Sequence, residues 1–207
     1  MSTEISVRKR DLEIALQHVA PHPNPKARLE QYTIPADLAA QILFHACYTY
    51  GDIREKSVID LGTGTGRLAL GAAMLGAKSV VGVDIDPDPL KAAAASSRRL
   101  SLEVSWVNSD ITSLQGKFDT ILMNPPFGTK IRHTDLNFLQ AALNLGTKIY
   151  SIHKSKTAPF ISRWLKEKRA EPESIIKTEM PIAHQFTFHR KKRYFVEVEV
   201  IRILHTT

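Results

Sequence analysis

Short apolar runs alternate along the chain with segments whose apolar residues recur at the helical period. The predicted strands are SVIDLG (57–62), SVVGVDI (79–85), EVSWV (103–107), FDTILM (118–123) and KIYSI (148–152). The predicted helices between and after them are GRLALGAAMLGA (66–77), PLKAAAASSRRL (89–100), DLNFLQAALNLG (135–146) and APFISRWLKEKR (158–169). This alternation favours an α/β fold with a doubly wound, mostly parallel sheet that carries helices on both faces.

Two further predicted strands, 174–182 and 192–204, follow one another without a helix between them. In the second, Val196 and Val198 share one face while Glu197 and Glu199 share the other, which is the period-2 pattern of an antiparallel strand. The sheet is therefore expected to have about seven strands and to finish in an antiparallel hairpin. Before the first strand, segments 8–20 and 35–48 are predicted helices, separated by the proline-rich PHPNP.

Positive charge is concentrated in the last quarter of the sequence. The net charge is +7, and residues 151–207 contribute 12 Lys and Arg against 6 Asp and Glu. The densest run, HRKKR (189–193), suits a phosphate backbone. On charge alone, a solvated surface that aids solubility is an equally good interpretation.

Composition excludes several classes of protein. Cys47 is the only cysteine, so an intrachain disulfide and a cysteine-based zinc site are both ruled out. No apolar run reaches membrane-spanning length, and the opening MSTEISVRKRD lacks the apolar segment of a signal peptide. The 207 residues are expected to form one domain in the cytoplasm, without a membrane or a bound metal.

A glycine-rich loop, DLGTGTG (60–66), follows the first predicted strand of the sheet. Glycine lets a backbone turn with positive φ and approach a ligand closely, and the next helix offers unpaired N–H groups. Asp84 and Asp110 follow the next two strands, at positions suited to accept hydrogen bonds from a ribose and an adenine. The alternative, a tight turn without a ligand, leaves these two acids unexplained.

The spacing of this loop is G-x-G-x-G, not the G-x-G-x-x-G of dinucleotide enzymes, and Asp60 precedes it. The loop resembles the first motif of Rossmann-like S-adenosylmethionine-dependent methyltransferases. The resemblance implies that Gly62, Gly64 and Gly66 line the methionine and adenosyl parts of the cofactor. It also implies that Asp84 and Asp110 hold the ribose and the adenine.

The run NPPFGTK (124–130) follows the strand 118–123. Pro125 and Pro126 end the strand, because neither can donate a backbone hydrogen bond. Asn124 offers a side-chain oxygen that can accept from a planar amine, a proline-fixed carbonyl offers a second acceptor, and Phe127 offers a ring for base stacking. NPPF resembles the (Asn/Asp)-Pro-Pro-(aromatic) signature of methyltransferases that act on adenine N6, cytosine N4 or glutamine amides. A proline-stopped strand with a stray aromatic is the alternative.

Further segments narrow the family. In shared order they are LEQYTIPADLAAQIL, NPPFGTK, TDLNFLQ, YSIHKSKT and FHRKK, and they span nearly the whole chain from Leu29. Together they resemble the methyltransferase-like protein five family of ribosomal RNA adenine-N6 methyltransferases and its archaeal relatives. The resemblance implies methylation of an adenosine in small-subunit ribosomal RNA.

The same resemblance implies further site residues. The positions expected to contact the cofactor are Gln31, Thr65, Arg67, Ile85 and Ile111. Residues 1–50 are expected to form a helical extension over the cofactor. The sequence LEQYTIP differs from the LEQYPT of the family, which leaves open which residue beyond Tyr32 touches the cofactor.

Basic residues near the predicted site supply an expected RNA-binding rim. They are His153, Lys154, Lys156, Arg190, Lys191, Lys192 and Arg193. His153 has an alternative as a structural residue at a strand end, and it has no second ligand at a spacing suited to a metal. Eukaryotic relatives pair with a small zinc-binding activator protein, which LEVSW (102–106) could accept as an edge strand.

Two other functions stay open at this point. The same chemistry could methylate a protein glutamine or a DNA base. A non-catalytic RNA-binding scaffold on this fold is the alternative of a different class, although Asp84 and Asn124 both stand at their expected positions.

Overall fold

Strands and helices alternate in the order that the hydrophobic pattern predicts. The computed structural model describes residues 7–26, 29–127, 134–183 and 193–206, and the side chains at 182, 183, 193 and 194 are not described. The strands are β1 (Ser57–Leu61), β2 (Ser79–Asp84), β3 (Ser105–Asn108), β4 (Phe118–Met123), β5 (Gly146–Lys154), β6 (Ala170–Ala183) and β7 (Arg193–His205). The α-helices are α1 (Lys9–Gln17), α2 (Ala36–Phe44), α3 (Arg67–Met74), α4 (Pro87–Arg99), α5 (Thr134–Leu145) and α6 (Ala158–Glu167). Within these ranges, no helix combines the length and the apolar character needed to cross a membrane.

The strands form one sheet in the order β3-β2-β1-β4-β5-β7-β6. Strands β1 to β5 pair in parallel, whereas β7 lies antiparallel between β5 and β6. The predicted mostly parallel α/β sheet with a terminal antiparallel hairpin is confirmed. The strand with the period-2 pattern is β7, which is inserted between its neighbours and buries Val198 and Val200.

Apolar side chains cover both faces of the sheet. One core joins α1, α2 and α3 to the sheet through residues such as Leu12, Leu43 and Leu70, and the other packs α5 and α6 on the opposite face. In β4, Leu122 belongs to the first core while Ile121 belongs to the second, because successive side chains of a strand point to opposite faces. Helices on both faces keep this parallel sheet buried.

Several element boundaries differ from those expected, and two of the differences have a structural explanation. The predicted helix 35–48 ends as an α-helix at Phe44 and continues as a π-helix over His45–Thr49. Gly146 was expected to end a helix, but it begins β5 opposite Phe118. A Cβ at Gly146 would lie 2.2 Å from the Ile121 Cδ1 atom, so the glycine permits a close approach between the two strands.

The strand order reverses direction between β1 and β4, and this reversal positions the site. Leu61 pairs with Met123, so the next residues, Gly62 and Asn124, leave adjacent strands at the same edge of the sheet. Adjacent strands lie about 4.7–4.9 Å apart. The glycine loop and the NPPF corner therefore begin side by side, at the kind of switch point where open α/β sheets bind ligands.

Candidate active site

A cavity of about 370 Å³ lies beyond the carboxyl ends of β1, β2 and β4. Its volume falls in the usual range for small-molecule sites. The predicted site residues that line it are Gln31, Asp60, Gly62, Gly64, Thr65, Arg67, Asp84, Ile85, Asp110, Ile111, Asn124 and Pro126. The connection between α1 and α2, residues 18–35, is called the N-terminal segment. Its residues, including Leu29 and Tyr32, form another part of the wall.

The glycine loop is held against the end of β2 by hydrogen bonds. Gly62, Gly64 and Gly66 have φ angles of 67°, 55° and 84°, a left-handed region that favours glycine. The Gly64 N–H donates to Asp84 Oδ2 at 2.8 Å, and the Thr63 N–H donates to the Val83 carbonyl at 2.8 Å. The acid at the end of β2 thus fixes the loop as well as facing the cavity.

Gly66 does not line the cavity. Its close approach to Trp106 explains why a glycine stands at this position. A Cβ at Gly66 would lie 2.4 Å from Trp106 Cη2, and one at Gly82 would lie 2.4 Å from Trp106 Cζ3. The indole of Trp106 therefore packs across both glycines, while its Nε1–H donates to Ser97 Oγ at 3.2 Å. Trp106 thus packs against the glycine loop without lining the cavity.

Asp60 is buried, with 1% of its surface exposed, and it lines the cavity. Its Oδ2 accepts from Thr63 Oγ1 at 2.6 Å and from the Ala69 N–H at 3.1 Å, so it caps the first turn of α3 from a distance. Burial raises the pKa of Asp60 to about 7; the charge of Asp84 acts in the same direction, and the two hydrogen bonds oppose the rise without cancelling it. Asp60 is therefore a buried acid that titrates near neutral pH.

The other two predicted acids lie in different environments. Burial raises the pKa of Asp84, although its carboxylate accepts from the N–H groups of Asp86 and Gly64. Asp110 is exposed, and the hydrogen bonds that it accepts from the N–H and hydroxyl of Thr112 lower its pKa. Both residues line the same cavity, Asp84 from the buried end of β2 and Asp110 from an exposed position after β3.

Asp86 ties the N-terminal segment to the sheet. It caps α4 by accepting from the Asp88 N–H at 3.1 Å. It also accepts from Lys26 Nζ at 2.8 Å and from Gln31 Nε2 at 2.9 Å. Burial alone would raise the pKa of Asp86, but these hydrogen bonds outweigh it and lower the pKa to about 2. Gln31 therefore lines the cavity and is also hydrogen-bonded to the cap of α4.

Arg67 forms a second tie to the same segment. Its guanidinium donates to the carbonyls of Ile34 and Val19. These two hydrogen bonds link the start of α3 to both ends of the N-terminal segment. Burial lowers the pKa of Arg67, and its Nε atom is buried without a hydrogen-bond partner in the described chain. The side chain thus brings a positive charge to the wall of the cavity.

Asn124 begins the NPPF corner and presents an unpaired acceptor. Its Nδ2 donates to the Tyr32 carbonyl at 3.5 Å. Because a carbonyl can only accept, the amide nitrogen must be the atom next to Tyr32 and the amide oxygen must point away from it. The opposite atom, Oδ1, is buried and has no hydrogen-bond partner among the described residues. A buried acceptor left unpaired costs free energy, so an acceptor facing a cavity indicates that a donor binds there.

Phe127 is the last residue of this corner. Its ring stacks on Tyr32, with centroids 5.8 Å apart and planes at 26°, and Lys154 Nζ lies 5.3 Å from its centroid. Tyr32 therefore covers one face of the ring and a cation lies near it. Pro125 and Phe127 are not part of the cavity wall, and Gly128 to Lys130 lie outside the described residues.

The predicted RNA-binding residues do not all lie at the surface. His153 is buried, with 1% exposed, and shares a hydrogen bond with Ser151 Oγ at 2.7 Å. Burial lowers its pKa to about 4, so it is neutral at pH 7. Its place in an RNA-facing rim is wrong for this structure, and the structural role at the end of β5 is the one that its burial favours.

The remaining basic residues divide into two groups. Lys154 lies near the NPPF corner and Lys156 is exposed in the following turn. Arg190, Lys191 and Lys192 lie outside the described residues, and Arg193 begins β7 with a side chain that is not described.

The cavity also contains residues that the sequence did not single out. Thr33 and Ile34, the two residues that follow Tyr32 in LEQYTIP, both line the cavity. His22, Asn137 and Phe138 line it too, and Phe138 lies so close to Gly62 that a Cβ there would be 2.9 Å from its ring. Only TDLNFLQ, quoted as a family segment, gave a signal for Asn137 and Phe138.

Comparisons with known proteins agree with this arrangement. Residues 35–149 match the family model of the methyltransferase small domain. The chain is 36% identical over 207 residues to the rRNA N(6)-adenosine-methyltransferase METTL5 of Danio rerio, covering 97% of this chain and 100% of that protein. It is 38% identical over 209 residues to an uncharacterized protein of Methanocaldococcus jannaschii, covering 95% of this chain and 94% of that protein.

A solved structure extends the similarity to three dimensions. The crystal structure of a candidate RNA methyltransferase from Pyrococcus horikoshii superimposes with a TM-score of 0.89 at 35% identity, covering 98% of this chain and all of that one. The glycine loop, the acids of the cavity and the orphaned Asn124 acceptor fit S-adenosylmethionine with a donor amine beside it. The chain belongs to the methyltransferase small domain family of S-adenosylmethionine-dependent enzymes, together with the METTL5 rRNA N(6)-adenosine-methyltransferases.

Proposed function

We propose that this protein methylates the exocyclic N6 amine of an adenosine in ribosomal RNA, and that the RNA is that of the small subunit. The observation that carries the proposal is the buried, unpaired Oδ1 of Asn124 at the wall of the cavity, one strand away from the glycine loop. The METTL5 protein of Danio rerio named above is an rRNA N(6)-adenosine-methyltransferase, which supports the same chemistry.

Asn124 acts on the target amine. The N6 lone pair of adenine is delocalised into the ring, so the amine is a weak nucleophile. Asn124 Oδ1 accepts a hydrogen bond from one N6–H, and the carbonyl of Pro125 or of its neighbour Pro126, which lines the cavity, accepts from the other. The two contacts draw the nitrogen toward a tetrahedral shape. S-adenosylmethionine supplies an electrophilic methyl group on sulfur. As the N–C bond forms, the C–S bond breaks, S-adenosylhomocysteine leaves, and the extra N6 proton passes to water.

The cofactor roles follow from the wall of the cavity. Asp84 accepts from ribose hydroxyls and Asp110 from the adenine amine, while Ile85 and Ile111 cover the adenine faces with apolar surface. Ile85 is 54% exposed, which is unusual for an isoleucine at a strand end and is explained by a ligand that covers it. The remaining residues, Gln31, Asp60, Gly62, Gly64, Thr65, Gly66 and Arg67, shape or support the site for the methionine part.

Residues 1–50 act as an extension over the cofactor. The supporting contacts are the hydrogen bonds of Lys26 and Gln31 to Asp86 and those of Arg67 to the carbonyls of Val19 and Ile34. This segment excludes water from the cavity, which strengthens the hydrogen bonds inside it.

Phe127 and the nearby lysines bind the RNA. An adenine extruded from its strand stacks on the Phe127 ring, and Lys154, which lies near that ring, meets the adjoining phosphates together with Lys156. Arg190, Lys191, Lys192 and Arg193 also bind phosphates of the RNA. Pro125 and Pro126 hold the corner rigid, because their rings fix the backbone that carries the second acceptor.

A small zinc-binding activator protein binds at β3 by adding a strand. Strand β3 lies at the edge of the sheet and pairs only with β2 among the described strands, so its outer edge can accept a partner strand. We also propose that the enzyme acts in the cytoplasm, where assembled ribosomal subunits are found.

The test is incubation of the protein with tritiated S-adenosylmethionine and unmodified small-subunit ribosomal RNA, followed by nucleoside analysis. Label in N6-methyladenosine at one position is expected, with none in large-subunit RNA. Label in glutamine of a ribosomal protein, in DNA, or in another nucleoside would overturn the proposal. Wild-type protein that binds the cofactor but labels none of these would favour a non-catalytic scaffold.

A further inference from the structure

The segment PHPNP (21–25) lies at the cavity without regular secondary structure. Its three prolines restrict the backbone and remove three N–H donors, so the segment keeps its shape without a helix or a strand. His22 is the one residue of this segment that lines the cavity. Its imidazole belongs to the same wall as Asp84 and Gln31.

The hydrogen bonds of His22 settle which nitrogen carries its proton. The backbone N–H of Asn24 donates to His22 Nδ1 at 3.2 Å, so Nδ1 acts as the acceptor and carries no hydrogen. The proton of the neutral ring therefore lies on Nε2. That atom is buried and has no partner among the described residues.

The ring is neutral in spite of its acidic neighbours. Burial lowers the pKa of His22, while the charges of Asp86 and Asp84 act in the opposite direction and that of Lys26 lowers it further. His22 consequently presents a single buried N–H donor near the acid that ends β2. A ribose hydroxyl suits this pair, because it can donate to a carboxylate and accept from an N–H at the same time.

We propose that His22 is a cofactor-binding residue whose Nε2–H donates to a ribose hydroxyl oxygen of S-adenosylmethionine, opposite the carboxylate of Asp84. The inference rests on the cofactor site proposed above and adds a donor to it. It explains why a histidine is buried at its Nε2 atom without a partner, and it gives PHPNP a role beyond ending α1.

The proposal is tested by calorimetric titration of the full-length protein with S-adenosylhomocysteine. His22→Phe keeps a ring of similar size but removes the donor, and it is expected to weaken binding roughly three- to tenfold, as for one lost hydrogen bond. His22→Gln retains an N–H donor and should bind within about twofold of wild type. His18→Phe is the matched control, because His18 is exposed and lies four residues earlier in the sequence. This variant should bind S-adenosylhomocysteine like wild type.

Analogues of the ligand identify the group that His22 contacts. With S-adenosylhomocysteine lacking the 2′ or the 3′ hydroxyl, one analogue should bind wild type and His22→Phe equally, while the other keeps the difference. The proposal is overturned if His22→Phe binds S-adenosylhomocysteine like wild type, or if both analogues keep the full difference, since the donor would then face water or the adenine. If wild type itself fails to bind S-adenosylhomocysteine, the cofactor site fails rather than the role of His22.

Discussion

Replacement of Asp60 by asparagine tests the electrostatics of the buried glycine loop. Both donors to Asp60, Thr63 Oγ1 and the Ala69 N–H, converge on Oδ2, so an amide oxygen can take the same place. The Asp60→Asn side chain would keep these contacts but could not ionise. Any change in the pH dependence of stability therefore reports the charge of Asp60.

The magnitude follows from the pKa of Asp60, which rises from 3.8 to about 7 on folding. Below pH 3.8 the carboxyl is protonated in both states. Between pH 3.8 and about 7 the unfolded chain releases its proton while the folded protein keeps it, so stability falls with rising pH. At 1.36 kcal/mol for each pKa unit, the full cost above pH 7 is about 4 kcal/mol, of which about 2–3 kcal/mol accrues between pH 5 and pH 8.

Urea unfolding of wild type and Asp60→Asn, measured without cofactor at several values between pH 5 and pH 8, checks this magnitude. The variant should gain about 2–3 kcal/mol relative to wild type over that interval. Asp119→Asn is the control, because hydrogen bonds to Ser57 lower the pKa of Asp119 and its difference should stay constant above pH 5. A constant difference for Asp60→Asn as well would refute the reasoning.

Three further variants test separate parts of the account. Gly82→Ala places a Cβ 2.4 Å from Trp106 and should destabilise the protein by about 1–3 kcal/mol in urea unfolding, with recovery on adding Trp106→Leu; a neutral Gly82→Ala would contradict the packing. Asp86→Asn should lower the free energy of unfolding by about 2 kcal/mol at pH 7, because the pKa of Asp86 falls from 3.8 to about 2 on folding. This contribution is present above pH 3.8 and should fall to about half by pH 3. An unchanged cost at pH 3 would exclude the ionised carboxylate as its source. Phe127→Leu should lower kcat/KM for RNA roughly 5- to 100-fold, whereas Phe127→Tyr keeps the ring and the rate; equal rates for both would remove base stacking from the mechanism.

The sheet was predictable because each strand and helix carries its own periodicity. The valines and glutamates of β7 alternate, and this pattern correctly indicated an antiparallel strand. The prediction for Gly146 was wrong because a glycine after a helical pattern is typical of a helix end. Here the glycine instead begins β5 and permits a close contact with Ile121 of the neighbouring strand β4. Such a contact depends on the tertiary structure and leaves no local signal.

The motif residues were predictable and their partners were not. The glycine loop, Asp84 and Asn124 follow strand ends, so topology alone brings them to one edge. The burial of His153 depends on the pairing of β5 with β7, where His153 lies opposite Glu199, and the pattern of basic residues around it suggested a surface. The N–H donor of His22 depends on a turn with Asn24, which no periodicity encodes.

The rate of a single methyl transfer by Asn124→Ala tests the central claim most directly. With enzyme and S-adenosylmethionine in excess over small-subunit ribosomal RNA, N6-methyladenosine formation should fall by about 10²-fold or more, while cofactor affinity measured by calorimetry stays within about threefold. Asn124→Asp retains the acceptor oxygen but loses the donor to the Tyr32 carbonyl. Its rate of N6-methyladenosine formation should lie between those of wild type and Asn124→Ala. An Asn124→Ala enzyme that methylates N6 at the wild-type rate would contradict the account.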